Sequence, residues 1–119
     1  MGNRANVELV FNDNQSIFIY AHWEGSRMVN VLHDSLSKRA RWTDDEYLAR
    51  IITGDMINKL GYADETSGMG LSPSPVDGRI VARVLLEEQR LTDVELDEHG
   101  IWSGSFEEFV SRPRPENEG

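Results

Sequence analysis

The sequence contains no cysteine. That excludes disulfides and thiolate zinc sites, and it suits a reducing cytoplasm. No stretch reaches the roughly 18 apolar residues of a membrane span, so no membrane partner is expected. Basic residues are few: 12 Lys and Arg stand against 21 Asp and Glu, a net charge of −9. Binding nucleic acid needs cations to neutralise phosphates, so no nucleic-acid partner is expected either. No apolar stretch follows Arg4 in the opening MGNRAN, so no signal peptide is expected. Asn6 stands where a myristoylation signal would carry Ser or Thr.

The chemical motifs are equally sparse. There is no G-x-S-x-G elbow and no phosphate-binding G-x-x-x-x-G-K-S/T. The three histidines, His22, His33 and His99, lack metal-ligand spacing. The expectation is a chain without catalytic residues, metal or cofactor.

The chain is 119 residues long, 39% hydrophobic and 28% charged, which fits one globular domain. That domain is expected over 1–112. The proline-bearing end, 113–119, has no apolar side chain and is expected to be a disordered tail.

Local patterns predict the elements. VELVF at 7–11 and SIFIYAHW at 16–23, joined by Asn12-Asp13-Asn14, read as a β-hairpin that Gly25 ends. Residues 26–40 turn helical, with Ser26 as N-cap and Met28, Val29, Leu32 and Leu36 on one stripe. A second helix is read in RWTDDEYLARIITGDMINKLG, 41–61, with a Thr43–Glu46 capping box and with Trp42 and Tyr47 spaced as a hydrophobic staple. Gly61 is its C-terminal glycine, and Gly54 inside it predicts close helix packing. Residues 64–78, DETSGMGLSPSPVDG, read as a long loop without regular structure. RIVARVLL at 79–86 reads as a strand, although 79–90 also fits a helix. LTDVEL at 91–96 alternates as a partner strand, and Ser105 and Glu108 box a short helix carrying Phe106, Phe109 and Val110. The order predicts an α+β fold: an antiparallel sheet of about four strands, two main helices on one face, and a short C-terminal helix.

Candidate binding residues concentrate in IFIYAHWEG. Alternation puts Ile17, Ile19, Ala21 and Trp23 on a core face and Phe18, Tyr20 and His22 on the other. The second set is either the wall of a pocket or a thinner core under the long loop. In that loop, Thr66 and Gly68 of TSGMG offer a hydroxyl and an amide to an anion. Arg4, Arg41 and Arg50 are the arginines best placed to help. Between 87 and 98 six acids face one base, Arg90. Glu87, Glu88, Asp93 and Glu95 of this run are either a solvated face or a patch for a basic partner.

Four blocks, in order, carry a resemblance: MGNRANV, the strand end FIYAHWEG, the helix RWTDDEYLARII and the loop ETSGMGL. They resemble a family of small bacteriophage and prophage proteins whose members open Met-Gly-x-Arg-x-Asn-Val. Those members continue with Tyr-x-His-Trp-x-Gly, Arg-Trp-x-Asp-x-x-Tyr-Leu-Ala-Arg-Ile-Ile and Glu-Thr-Gly-x-Gly. The match ends near residue 71, and here Ser67 is inserted before the first loop glycine. The resemblance implies a phage-type origin, hence the cytoplasm of an infected or lysogenic cell, and no particular mechanism. It implies binding: of a host or anti-phage-defence protein, or of a nucleotide-like small molecule held by Arg4, Tyr20, His22, Trp23, Arg41, Arg50 and Thr66. Oligomeric state is left open, but the acids at 87–98 disfavour self-association along that edge.

Overall fold

The computed structural model describes residues 3–12, 15–60, 68–76, 79–96 and 100–115. The expected Asp13-Asn14 turn, the Gly61 cap, Thr66 and the acids Asp97 and Glu98 lie outside the described residues.

The fold is α+β, with six strands rather than about four. The strands are β1 (Ala5–Asn12), β2 (Gln15–Ala21), β3 (Met69–Ser72), β4 (Arg79–Leu85), β5 (Arg90–Leu96) and β6 (Gly100–Ser105). The helices are α1 (Met28–Ser37), α2 (Asp45–Leu60) and α3 (Phe106–Ser111). One sheet runs in the order β3-β2-β1-β4-β5-β6. It is mixed, because the central pair β1 and β4 is parallel while the other neighbours are antiparallel. Two strands escaped the sequence reading for a shared reason. MGLS and GIWSGS are rich in Gly and Ser, which β-propensity counts against, and pairing along an existing strand overrides it.

The expected hairpin forms, with Val7 opposite Ile19 and Leu9 opposite Ile17. Partners across a ladder share a face, so Ala5, Val7, Ile19 and Ala21 point toward the helices. All four are fully buried. Residues 79–85 are strand, not helix, and their Ala82 and Val84 join the same layer. The helix α1 lies in that layer and is buried on nearly every side: Met28, Val29, Val31, Leu32 and Leu36 are all in the core. Its amphipathic stripe widens because the sheet covers one side while α2 and α3 pack on others.

Polar tethers hold the helices. Ser35 and Lys38 at the end of α1 each reach Asp55 of α2 at 2.6 Å. His33, buried in α1, donates from Nε2 to the Arg112 carbonyl at 3.0 Å and meets Phe109 edge-on. Arg114 makes a two-pronged pair with Asp34, so the chain just past α3 lies against α1. The Ser105–Glu108 capping box of α3 is present as expected. Helix α2 begins at Asp45, and the Leu48 N–H reaches the Asp44 carbonyl, so the helix opens later than the expected cap at Thr43. Trp42 turns away from the expected staple: it packs on Phe106, and its indole N–H donates to the Leu36 carbonyl. Tyr47 is instead exposed beneath the Arg41 guanidinium.

The opposite face of the sheet is partly roofed. Asn6 is fully buried there because Val76 exchanges two hydrogen bonds with its amide. Phe18 is 6% exposed and lies beside Pro73. Further along, Glu8 accepts from Ser16 and from Arg83. No helix of the described residues is long and apolar enough to cross a membrane.

Two outcomes follow from this packing. A Cβ built on Gly54 meets nothing within 4 Å, so the glycine does not mark a close helix contact as expected. Gly54→Ala should therefore raise stability by roughly 0.5–1 kcal/mol in urea unfolding, since it stiffens the unfolded chain at no steric cost. The Asp55 carboxyl has its pKa pulled in two directions: burial raises it, and hydrogen bonds from Lys38 and Ser35 with the Lys38 and Lys59 charges lower it further. The net depression means stability is present above the unfolded carboxyl's pKa and lost as pH falls through the folded one. Asp55→Asn should thus be less stable than the parent at neutral pH. Its deficit in thermal melts should shrink as pH drops through the acid range.

Candidate functional site

Strand β2 ends at Ala21, and the three residues that raised the question of a site behave differently. Tyr20 still belongs to the ladder, opposite Asn6 and Gly70, and faces away from the helices. His22 follows on the same side, with the Tyr20 hydroxyl 3.0 Å from its Nδ1. With the imidazole protonated on Nε2, the phenol donates to Nδ1. Both residues are half-buried.

Trp23 was expected on the core face, but it is 55% exposed. The strand has already ended, so alternation no longer governs where it points. Two neighbours hold it. The His22 ring meets it edge-on, with centroids 4.7 Å apart. Gly68 lies directly beneath it: a Cβ there would fall inside the indole, and the glycine has φ +74°. The backbone ties the same point together, because the His22 N–H donates to the Gly68 carbonyl at 2.9 Å. An indole is thus clamped at the surface rather than dropped into the core.

The strand that carries this cluster rests on solid packing. Ile19 and Ala21 are fully buried against Ala5 and Val7. On the other face Phe18 and Asn6 are covered by the 73–76 segment, as the thinner-core reading expects. Ile17 departs from expectation, being 38% exposed near the sheet edge.

The expected arginines do not all arrive. Arg4 lies just before β1, next to the Ala5–Ala21 pair, and its carbonyl accepts from the Arg79 guanidinium at 3.2 Å. Arg41 and Arg50 belong to the helical layer on the opposite side of the sheet. Arg41, at φ 61°, leans over Tyr47 and lies 3.6 Å from Asp44, and Arg50 is exposed on α2. The structure therefore assembles Tyr20, His22, Trp23 and Gly68, leaves Arg4 at the adjoining start of β1, and separates Arg41 and Arg50 from them. Among the described residues no group of three or more His, Cys, Asp or Glu could hold a metal.

The expected acidic patch is also rearranged. Glu87 and Glu88 are exposed in the β4–β5 turn. Asp93 sits in a bulge of β5 at φ 56°, and Glu95 is paired with Arg79 at 3.1 Å. Glu87 instead faces the start of α2, where it lines a shallow groove with Asp44, Asp45 and Glu46. Burial, then the charges of Glu46 and Asp44, push the Asp45 pKa up. In the sequence Glu46 reads as the capping-box partner of Thr43, and Asp44 and Asp45 as anions favoured at a helix start.

Gly68→Ala tests the clamp. The methyl group must displace the indole and occupies a left-handed backbone position, so stability should fall by about 1–2 kcal/mol. Quenching of tryptophan fluorescence by acrylamide should rise at the same time, as Trp23 loses its seat. No family model, no curated protein and no solved structure matches this chain.

Proposed function

We propose that the chain is a non-enzymatic, phage-type accessory protein that acts in the cytoplasm by binding a host or anti-phage-defence protein. The observation that carries this reading is Trp23: a large aromatic side chain more than half exposed, yet held by Gly68 and His22. Binding energy at protein interfaces concentrates on such anchors, and a side chain already fixed loses little freedom on docking. An uninterrupted core beneath β2 supports a surface rather than a chamber as the site. Arg4, Tyr20 and His22 would form its polar flank.

The sequestration of a nucleotide-like anion is less well supported. It called on three arginines, and two of them lie on the other side of the sheet.

The test is a photo-crosslinking and affinity capture comparison in infected host cells, parent against Trp23→Ala. Loss of an anchor of this kind should reduce recovery of one defined partner by roughly 10-fold or more. The melting temperature should stay close to the parent's, since the side chain is mostly outside the core. Equal recovery with both proteins sinks the reading. A melting shift on the order of 10 °C with a nucleotide at a hundred times its dissociation constant, abolished by His22→Ala, would favour sequestration instead.

A further inference from the structure

Three aromatic rings stand in a row where β2 ends, on the side of the sheet away from the helices. The Tyr20 and His22 centroids are 6.2 Å apart, and those of His22 and Trp23 are 4.7 Å apart. The floor beside them is bare. Tyr20 lies opposite Gly70 in the ladder, and Trp23 stands over Gly68, two residues back along the same segment. Gly70 is exposed, and a Cβ built on it meets nothing within 4 Å. It forms the bottom of a shallow trough, with a phenol along one side and an indole at one end.

The polar groups of this trough are of one kind. The Tyr20 hydroxyl is taken up by His22 Nδ1. That leaves the His22 Nε2–H and the Trp23 indole N–H, and neither has a partner among the described residues. Both are neutral donors. Charge is absent as well: from Gln15 to Trp23 and from Gly68 to Val76 the chain carries no Asp, Glu, Lys or Arg. The next acid along the chain, Glu24, is paired with Arg27 at 3.3 Å. The Asn6 amide is already held by Val76. An occupant must therefore bring apolar rings and carbonyl acceptors, and few N–H groups of its own.

We propose that this trough binds a proline-rich segment of the partner protein, held in the extended polyproline helix. Proline has no N–H, and that helix makes no internal hydrogen bonds, so its carbonyls are free to accept. Its rings dock on aromatic-lined grooves. The spacing fits: two residues of a polyproline helix advance about 6 Å, and the step from Gly68 to Gly70 spans about 7 Å of strand. A carbohydrate needs side chains that both donate to and accept from its hydroxyls, and a nucleotide needs a cation for its phosphate. The stretches that form the trough carry no cation and no carboxylate. Basic residues flanking the prolines suit approach to a chain of net charge −9. The chain's own Arg112-Pro113-Arg114-Pro115 has that composition but is held at α1, where the Arg112 carbonyl accepts from His33 and Arg114 pairs with Asp34. The occupant therefore comes from another protein. The proposal rests on Trp23 as the anchor and names the chemistry that the anchor meets.

The probe is a capped polyproline peptide, with a Gly-Ser peptide of equal length as control, titrated into isotope-labelled protein and followed by NMR. Polyproline should shift the indole N–H resonance of Trp23 and the amide of Gly70 in a saturable way. The indole of Trp42, whose N–H is bonded to the Leu36 carbonyl, should not move. Gly70→Val raises the floor without burdening the fold, since a Cβ there meets open space. It should weaken polyproline binding by roughly 10-fold or more, with a melting temperature no lower than the parent's. No saturable shift at about 1 mM peptide, an equal response to the Gly-Ser control, or undiminished binding by Gly70→Val would each overturn the inference. So would a shift of the same resonances by a neutral oligosaccharide or a nucleoside in place of the peptide. If polyproline fails while partner capture still depends on Trp23, only this inference falls. If capture is indifferent to Trp23, the anchor falls and this inference with it.

Discussion

The burial of α1 is the constraint on which the rest of the structure depends. Eight of its ten residues are inside: Met28, Val29, Asn30, Val31, Leu32, His33, Ser35 and Leu36. A helix covered on this many sides cannot be held by an apolar stripe alone, because polar groups enter the core with it. Each then needs a partner or costs stability. Ser35 finds Asp55, and His33 finds the carbonyl of Arg112. The Asn30 side-chain oxygen finds none among the described residues. These contacts settle where α2 and α3 must lie. Arg39 adds to them by pairing with Glu107 of α3 while covering Trp42, which packs on Phe106. The connection between the first two helices is thereby sealed by the third.

Much of this fold was legible where the signal was local. The hairpin of β1 and β2 follows from two alternating runs around polar residues, and the α3 cap from Ser105 and Glu108. What escaped was set by distant partners. MGLS has no strand character of its own; it becomes β3 because Phe18 to Ala21 offer an edge. GIWSGS becomes β6 against Arg90–Leu96, with Trp102 set opposite Val94. Trp42 and Tyr47 stand at staple spacing, but Phe106, more than sixty residues on, competes for the indole and takes it. Spacing rules see one helix at a time and cannot weigh such a competitor.

The site divides along the same line. Tyr20 and His22 on one side of β2 follow from alternation, and Gly68 joins them because the loop runs back along that strand. Alternation also misplaced Trp23, since it assumes a strand that had already ended at Ala21. The arginines were grouped by residue type alone. Nothing local distinguishes Arg4, just before the Ala5–Ala21 pair, from Arg50 on a helix behind the sheet. Only the layer order separates them.

The parallel pairing of β1 with β4 has a consequence for how the chain comes into being. β1 begins at Ala5, and its partner on that side begins at Arg79. Between them the ribosome must make β2, three turns of α1, all of α2 and β3, while one side of β1 waits unpaired. At translation rates of roughly 5–20 residues per second, that wait lasts several seconds. Contacts this far apart in sequence also form slowly once both strands exist. The central seam therefore cannot close until both long helices and β3 have been made, and β5 and β6 can join only after it has its second strand. A nascent chain halted before residue 85 would hold both helices and the hairpin with their common core still open to solvent.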